Sequence, residues 1–291
     1  MSPAREIQIL LGRELRRNFR SAKGIVLSVL TLLGGTLAAY LNSKANEAMK
    51  GSHTLTRQDG SSFDMVMTSD MIREARELSH LKVYKYDEAM AKALDAAPAM
   101  LEASFRVCVF LTPLLIAIVG FDAVSSDLQH RSVRYWSVRA RRSSYIGGKF
   151  LGLWISVSIV TLALNVLVWV LCAIRGDAEF GSVMMWGLRF WFSTLAISAT
   201  WCALATLVGS LVKHPFLSLL LVSVSFFAWW LVGVIGFIGR WPAVLYATPN
   251  NYDLFLLSPQ SNVVLGGVAG LVAITAAFVA TTSVLFAKRD L

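Results

Sequence analysis

The 291-residue chain is too apolar for an ordinary water-soluble protein, because 56% of its residues are hydrophobic and 15% are charged, whereas soluble domains have about 25% charged residues. Its formal net charge of +9 would on its own suggest a nucleic-acid partner. No RNA-stacking aromatic motif or DNA-recognition helix accompanies the basic residues, so we expect no nucleic-acid binding. The composition predicts an all-α polytopic membrane protein in contact with membrane lipids.

Six apolar runs predict six transmembrane helices, since a helix needs about 20 residues to cross a hydrocarbon core of about 30 Å. The runs are residues 24–43, 107–124, 150–174, 190–212, 216–238 and 262–287. The second run is short and contains Pro113, which predicts a kinked helix. We interpret the first run as an uncleaved helix rather than a signal peptide, because it is long enough to span the membrane.

The distribution of Lys and Arg sets the predicted orientation. Six basic residues precede the first run, and six more lie between the second and third runs. Positive residues are retained on the cytoplasmic side of a membrane. Six alternating crossings then place both chain ends in the cytoplasm and residues 44–102 outside.

Residues 3–21 predict an amphipathic helix, with apolar side chains along one stripe and arginines elsewhere. The stripe comprises Ile7, Leu10, Leu11, Leu15 and Phe19. The arginines that we expect at anionic lipid headgroups are Arg13, Arg16, Arg17 and Arg20. Such a helix lies along the membrane surface. The alternative is an amphipathic helix docked on a protein partner.

Two longer segments are predicted to lie outside the membrane. Residues 44–102 have balanced charge and two helix-like stretches, at 69–79 and 87–97, which predict a small helical external insert. Residues 239–260 are rich in proline and aromatic residues and predict an ordered interfacial loop on the same side.

No sequence pattern for phosphate binding, proteolysis or metal binding is present. The nearest match to the phosphate-binding loop G-x-x-x-x-G-K-[ST] is at Gly148 and Lys149, but Ser143 replaces its first glycine and Phe150 its hydroxyl residue. The three cysteines lack Cys-x-x-Cys spacing, and no H-E-x-x-H motif occurs. We therefore expect no catalytic residue, no metal site and no cofactor bound by this chain.

Residues 125–149, called the basic segment from here on, contain six basic residues and one acidic residue. With its flanks the segment reads GFDAVSSDLQHRSVRYWSVRARRSSYIGGKFLG. This stretch resembles the region of ABC-2 type permeases in which span two ends in acidic residues, a short helix and a basic turn follow, and Gly-Lys-Phe opens span three. The basic N-terminal helix, the six-span order and the terminal FAKRDL also resemble that family. The chain departs from it at Ala140, where a proline is frequent, and at Asp127, where a glutamate is usual.

The resemblance implies a transporter in the bacterial cytoplasmic (inner) membrane, built from two permease chains, as a homodimer, and two separate ABC ATPase subunits. The ATPase subunits would bind ATP and Mg, and the basic segment would be the coupling element that docks in a groove on an ATPase. The residues expected at that contact are Asp127, Arg131, Arg134, Tyr135, Trp136, Arg139, Arg141 and Arg142. Tyrosine, tryptophan and arginine are enriched at interface hot spots. The alternative is that the segment is only a positively charged loop at the lipid headgroups.

Charges at the membrane edge and closely spaced glycines are the remaining candidates. Asp122 and Lys149 are expected to pair with each other or to anchor two helix ends, and Arg189 to anchor the fourth helix. Close helix packing is expected at Gly34, Gly35, Gly266 and Gly270.

Together these features predict the membrane permease subunit of an ATP-driven exporter. Two alternatives stay open. One is a membrane scaffold or mechanotransmitter that acts on an external partner through residues 44–102, and the other is a membrane-embedded enzyme. None of the predicted helices identifies a transported substrate.

Overall fold

The chain folds into a bundle of long helices with one short two-stranded ribbon in the part that the structure describes. The computed structural model describes residues 2–49, 52–56, 62–66, 88–176, 178–239, 241, 244 and 247–288. The elements in chain order are α1 (Pro3–Arg20), α2 (Ala22–Met49), β1 (Ser52–Thr56), β2 (Ser62–Val66), α3 (Glu88–Asp95), α4 (Ala99–Gly120), α5 (Asp122–Gln129), α6 (Ser132–Arg139), α7 (Arg142–Arg175), α8 (Phe180–Leu211), α9 (Pro215–Gly239), a 3₁₀ turn (Pro249–Tyr252), α10 (Asp253–Leu256) and α11 (Ser261–Ala287).

Five helical stretches are long and apolar enough to cross a membrane. They are Ala99–Gln129, which combines α4 and α5, Arg142–Arg175, Phe180–Leu211, Pro215–Gly236 and Ser261–Ala287. A sixth candidate is the N-terminal pair, in which α1 and Gly24–Ala38 of α2 pass the same test together but are bent by 72°. The described residues thus hold five spans, or six if the bent pair counts as one, which confirms the predicted all-α membrane bundle.

Three spans begin earlier than the sequence predicted. The helices start at Ala99, Arg142 and Phe180, where the apolar runs predicted 107, 150 and 190. Helix α4 accommodates Glu102 and Arg106 because they form an ion pair one turn apart, with 2.7 Å between Arg106 Nη2 and Glu102 Oε1. The helix also continues through Pro113. Helix α7 has 34 residues, about 50 Å of helix, so it extends well beyond a hydrocarbon core of about 30 Å.

The insert before α4 contains strands that the sequence reading did not predict. Strands β1 and β2 pair antiparallel, with Ser52 opposite Val66. The Asp-Gly pair between them in the sequence is the turn signal for such a hairpin. The second predicted helix is present as α3, whereas the first, at 69–79, lies outside the described residues. Met90 and Leu94 of α3 are buried in a cluster with side chains of α7 and α8, so the base of the insert packs on the bundle.

Helix α1 is docked along α7. Its buried side chains are Glu6, Leu10 and Glu14, one per turn, and only Leu10 belongs to the predicted apolar stripe. Two glycines of α7 permit the close approach, since a Cβ at Gly148 would lie 2.6 Å from Leu10 Cβ and one at Gly152 would lie 2.5 Å from Glu14 Cβ. Helix α1 therefore packs on α7 of the same chain, and its position along the membrane surface stays a prediction.

Glycine-to-alanine substitutions in α7 distinguish the effect of helix packing on stability from the effect of helix propensity. Gly148→Ala and Gly152→Ala should each lower the free energy of unfolding by about 1–3 kcal/mol, because the new Cβ overlaps α1. Gly147→Ala is the matched control, since a Cβ there meets Ile7 at 3.7 Å, an ordinary contact. Alanine is favoured over glycine within a helix by about 1 kcal/mol, so the control should be unchanged or more stable. Thermal unfolding in detergent checks the series, and equal stability of all three variants would contradict this packing.

Candidate functional site

A cluster of buried charges lies where α1, α5 and the start of α7 meet. The Lys149 side chain is 2% exposed, and its Nζ lies 2.7 Å from Glu14 Oε1 and 2.6 Å from Asp127 Oδ2. Glu14 and Asp127 are themselves buried. One ammonium group therefore joins a carboxylate of α1 to a carboxylate of α5.

The other polar atoms of the cluster are also paired. The Tyr145 hydroxyl donates to Asp127 Oδ2 at 2.8 Å, and the Ser132 hydroxyl donates to Asp127 Oδ1 at 2.9 Å. The Arg17 guanidinium lies 3.0 Å from Glu14 Oε2. Buried charges are tolerated only when each is paired and hydrogen-bonded. We call Glu14, Arg17, Asp127, Tyr145 and Lys149 the ion cluster from here on.

The ion cluster rests on a regular pairing of α1 with α7. Every fourth residue of α1 faces every fourth residue of α7, at an offset of 138 positions along the chain. The pairs are Glu6 with Ser144, Leu10 with Gly148, Glu14 with Gly152, and Asn18 with Ser156. Small residues on α7 bring the two helices together, which places Glu14 within reach of Lys149.

Glu6 stabilises the start of α7 from outside that helix. The Arg141 backbone N–H, at the N-cap position, donates to Glu6 Oε2 at 3.1 Å. Hydrogen bonds from the Ser144 side chain and this N–H hold the pKa of Glu6 below its usual value. A carboxylate is favourable at the positive end of a helix dipole. Helix α7 has no side-chain cap of its own at Arg141, and α1 supplies one.

The turn between α5 and α6 is strained and is held by the ion cluster. Arg131 adopts a left-handed backbone conformation, with φ 55° and ψ 14°, which costs about 1–3 kcal/mol in a residue other than glycine. The Ser132 hydroxyl bonds both the side chain and the backbone carbonyl of Asp127 across this turn. Such strain persists only where surrounding contacts fix the backbone, and Asp127 provides them here.

Helix α6 has an inner and an outer side. Val133 is buried, and the ring of Trp136 is half-buried with the Arg13 guanidinium 4.4 Å above it. Tyr135 is 51% exposed and makes an edge-to-face contact with Trp136. Arg131 is exposed as well. An aromatic and a basic side chain thus face outward on a helix whose inner side is fixed.

The other predicted contact residues lie around this helix. Arg134 and Arg139 belong to α6, but their side chains lie outside the described part of the chain. Arg141 is exposed, and Arg142 donates to the carbonyl oxygen of Ala287 at the end of α11. The structure therefore brings Asp127 into the ion cluster and ties Arg142 to the last helix.

Both sequence departures in the basic segment suit this geometry. The Ala140 N–H donates to Trp136 O at 2.8 Å, and a proline, having no N–H, could not make this bond. The φ of Ala140 is −136°, far from the value of about −65° that proline requires. The shorter carboxylate of Asp127 already reaches Lys149, Tyr145 and Ser132.

Of the predicted membrane-edge charges, Lys149 has partners that the sequence reading did not name. Lys149 pairs with Glu14 and Asp127 rather than with Asp122, because α1 brings a second carboxylate to it. Asp122 is the first residue of α5 and is half-buried. Arg189 donates to the carbonyl oxygens of Leu257 and Ser258 at 3.0 and 2.5 Å, so it fastens the loop before α11 to α8.

Some of the predicted arginines of α1 and some of the predicted packing glycines contact other residues of the chain, and the others do not in its described part. Arg13 and Arg17 contact Trp136 and Glu14 of this chain, whereas Arg16 and Arg20 are exposed. A Cβ at Gly35 would meet Leu164 at 2.6 Å, and one at Gly270 would meet the Tyr252 hydroxyl at 2.7 Å. A Cβ at Gly34 or Gly266 would have no neighbour within 4 Å in the described chain, and a packing role for these two stays a prediction.

Sequence reasoning did not predict roles for Glu6, Glu14 and Tyr145, or close packing at Gly148 and Gly152. Two patterns in the sequence could have indicated them. Glu6, Leu10, Glu14 and Asn18 recur every fourth residue, and so do Ser144, Gly148, Gly152 and Ser156. A small-residue stripe at this spacing marks a close helix contact, and carboxylates that share a face with leucine mark a face directed at protein. Within the described residues no group of three His, Cys, Asp or Glu side chains is placed to hold a metal ion.

Comparison with known families matches residues 8–291 to the family described as ABC-2 family transporter protein. No curated protein sequence matches the chain significantly. Because the family match covers nearly the whole chain, the protein belongs to the ABC-2 family of transporter membrane components. Members of this family typically lack an ATPase domain of their own and work with a partner ATPase.

Removing the central cation should destabilise the fold more than removing all three buried charges. Lys149→Met leaves two buried carboxylates facing each other, and breaking a buried ion pair from one side costs about 3–5 kcal/mol, or on the order of 10 °C in the thermal midpoint. The triple variant Glu14→Gln, Asp127→Asn, Lys149→Met should recover part of this loss, because no buried charge remains unpaired. The Arg17 guanidinium, which loses Glu14, is partly exposed to solvent.

Thermal unfolding in detergent checks both variants, and Lys213→Met, at an exposed lysine, is the control that should not move the midpoint. A triple variant less stable than Lys149→Met would show that the charges are not acting as one cluster.

Proposed function

We propose that this chain is the permease subunit of an ATP-driven exporter in the bacterial inner membrane. Two copies pair with each other and with two ATPase subunits, which bind ATP and Mg, and both chain ends face the cytoplasm. The observation that carries the proposal is helix α6, whose outer side offers Tyr135 and whose inner side is tied to α1, α5 and α7.

The outer side of α6 has the chemistry of a docking surface. Tyr135 and the exposed Arg131 and Arg141 are of the residue types that dominate interface hot spots. A loop that only neutralised lipid headgroups would need no buried support. Here Asp127 of α5 binds Ser132, and Arg13 of α1 packs on Trp136, so the inner side of α6 is fixed. This support favours a surface that transmits force.

The ion cluster connects α6 to the membrane spans, so a force applied to α6 would be transmitted to them. Asp127 belongs to the stretch that continues α4, Lys149 belongs to α7, and Glu14 belongs to α1. Displacement of α6 by an ATPase would therefore move three elements together. ATP binding to the partner would favour one of two arrangements of the spans, and this chain would do no covalent chemistry itself.

A second candidate is a mechanotransmitter that acts on an external partner through residues 44–102. It is favoured by the base of the insert, where Met90 and Leu94 are buried on the bundle. Movement of α7 and α8 would carry α3 with it. Reconstituted vesicles with the ATPase separate the two functions, because ATP-dependent movement of a substrate supports export, whereas coupled hydrolysis with no transported species across a broad screen favours mechanotransmission.

Charge introduced on the outer side of α6 should disrupt the ATPase contact without unfolding the bundle. Tyr135→Asp combined with Arg141→Glu removes an aromatic and a basic contact, each a group whose loss at a hot spot costs about 2 kcal/mol or more. Affinity for the ATPase subunit should then fall by at least about tenfold, since each 1.4 kcal/mol is a factor of ten. Co-purification and stimulated ATP hydrolysis measure the effect.

Phe180→Asp is the control for the aromatic-to-acid change, because Phe180 is 67% exposed and lies at the start of α8, away from α6. It should leave ATPase binding intact. If the α6 double variant co-purifies with the ATPase and stimulates hydrolysis as the unchanged chain does, the docking surface lies elsewhere.

A further inference from the structure

Helix α11 contacts other elements at both ends and along its length. Four of its 27 residues are buried: Gly267, Leu271, Thr282 and Phe286. Gly267 lies against the loop before α11, and Phe286 lies against the start of α7. Between these two contacts, the hydroxyl of Thr275 lies 2.9 Å from that of Thr200 in α8. A rigid helix in contact with both features can transmit a displacement along its axis.

The C-terminal end of α11 is fastened to the start of α7. Arg142 Nη1 lies 2.6 Å from the carbonyl oxygen of Ala287, and the Tyr145 ring stacks on Phe286 with centroids 5.5 Å apart and planes 16° apart. A cation is favourable at the negative end of a helix dipole. Arg142 opens α7, where a cation opposes the dipole of its own helix, so its contact with the α11 carbonyls offsets an otherwise unfavourable position.

Tyr145 connects this fastening to the ion cluster. Its hydroxyl donates to Asp127 at 2.8 Å while its ring packs on Phe286. The side chain is 2% exposed. A displacement of Asp127 therefore reaches α11 through one buried, rigid aromatic group.

The N-terminal end of α11 is in close contact with the loop that precedes it. A Cβ at Gly270 would lie 2.7 Å from the Tyr252 hydroxyl, and one at Gly267 would lie 2.8 Å from Phe255 Cβ. The same loop carries Asn250, whose side-chain oxygen accepts a hydrogen bond from Trp201 Nε1 at 2.8 Å. These glycines let the loop lie directly on α11, while Arg189 and Trp201 tie the same loop to α8. The loop is therefore the contact through which α11 acts on α8.

Asn250 also lines a cavity in the described part of the bundle. This cavity has a volume of about 270 Å³ and is bordered by α4, α8 and α9. Its aromatic lining includes Trp201, Phe226 and Trp230. A shift of the loop would move the Asn250 side chain in the lining of this cavity.

We propose that α11 is a strut that carries motion of the basic segment to the loop at residues 249–257, with Arg142 and Tyr145 as positioning residues. The helix is about 40 Å long at 1.5 Å per residue, so its two contacts lie at opposite ends of the bundle. The inference rests on the proposed function, because the motion enters where the ATPase docks. Motion of the basic segment would then reach two places: α1 through the ion cluster, and the loop at residues 249–257 through α11.

A single reporter cysteine at the far end tests the strut. Gln260→Cys is suitable because Gln260 is exposed beside α11 and the three natural cysteines are buried. The rate of maleimide labelling is measured in the complex with its ATPase, with and without ATP under conditions that block hydrolysis. The unchanged chain should show a nucleotide-dependent labelling rate, and Phe286→Ala, which removes the stack on Tyr145, should abolish that dependence while ATPase binding and hydrolysis persist.

Three further variants distinguish a positioning role from a general loss of packing. Phe278→Ala removes a ring contact in the middle of α11, with Trp229, and should keep the nucleotide dependence. Arg142→Lys retains a cation at the Ala287 carbonyl and should also keep it. Tyr145→Phe retains the stack on Phe286 but loses the bond to Asp127, and should abolish the dependence even with α11 in place.

The proposal is overturned if Phe286→Ala keeps the nucleotide-dependent labelling, or if the unchanged chain shows none while its ATPase is coupled. Failure of the proposed function appears differently, as absent association of the ATPase with the unchanged chain, and this inference then falls with it.

Discussion

The position of Lys149 between two buried carboxylates is the constraint on which this end of the protein depends. The ammonium group joins Glu14 of α1 to Asp127 at the end of the second span. Desolvating three charges is costly, and their mutual attraction offsets that cost only when all three are present. The arrangement is therefore cooperative. The contact among α1, α5 and α7 is stable when all three charges are present and is destabilised when one of them is removed.

Small residues make the cluster possible, and the cluster in turn makes the outward helix possible. Gly148 and Gly152 admit α1 to the surface of α7, and Asp127 then supports the left-handed turn at Arg131 through Ser132. Helix α6 follows directly from that turn. This surface helix is thus anchored to α1, α5 and α7, as a mechanical contact with an ATPase would require.

The sequence predicted the membrane bundle, the family and the position of the basic segment, because apolar length and charge placement are local properties. It did not predict the early start of α4, since the charges of Glu102 and Arg106 cancel only when the helix already exists. For Lys149 it offered a pair with Asp122 or a role as a helix-end anchor, and not a pair with Glu14, because nothing local reports that α1 folds back on α7. Two patterns with the same four-residue spacing, from Glu6 to Asn18 and from Ser144 to Ser156, indicate the contact between α1 and α7. Neither pattern indicates it alone.

The central claim is that α1 and the start of α7 move as one body when the ATPase acts. It is tested most directly by joining them covalently with Ile7→Cys and Gly147→Cys, positions at which Ile7 Cγ1 lies 3.9 Å from where a Gly147 Cβ would be. The measurement is ATP hydrolysis stimulated by the permease before and after oxidation. This account predicts that the disulfide leaves stimulation intact. Stimulation that is lost on oxidation and returns on reduction would contradict it.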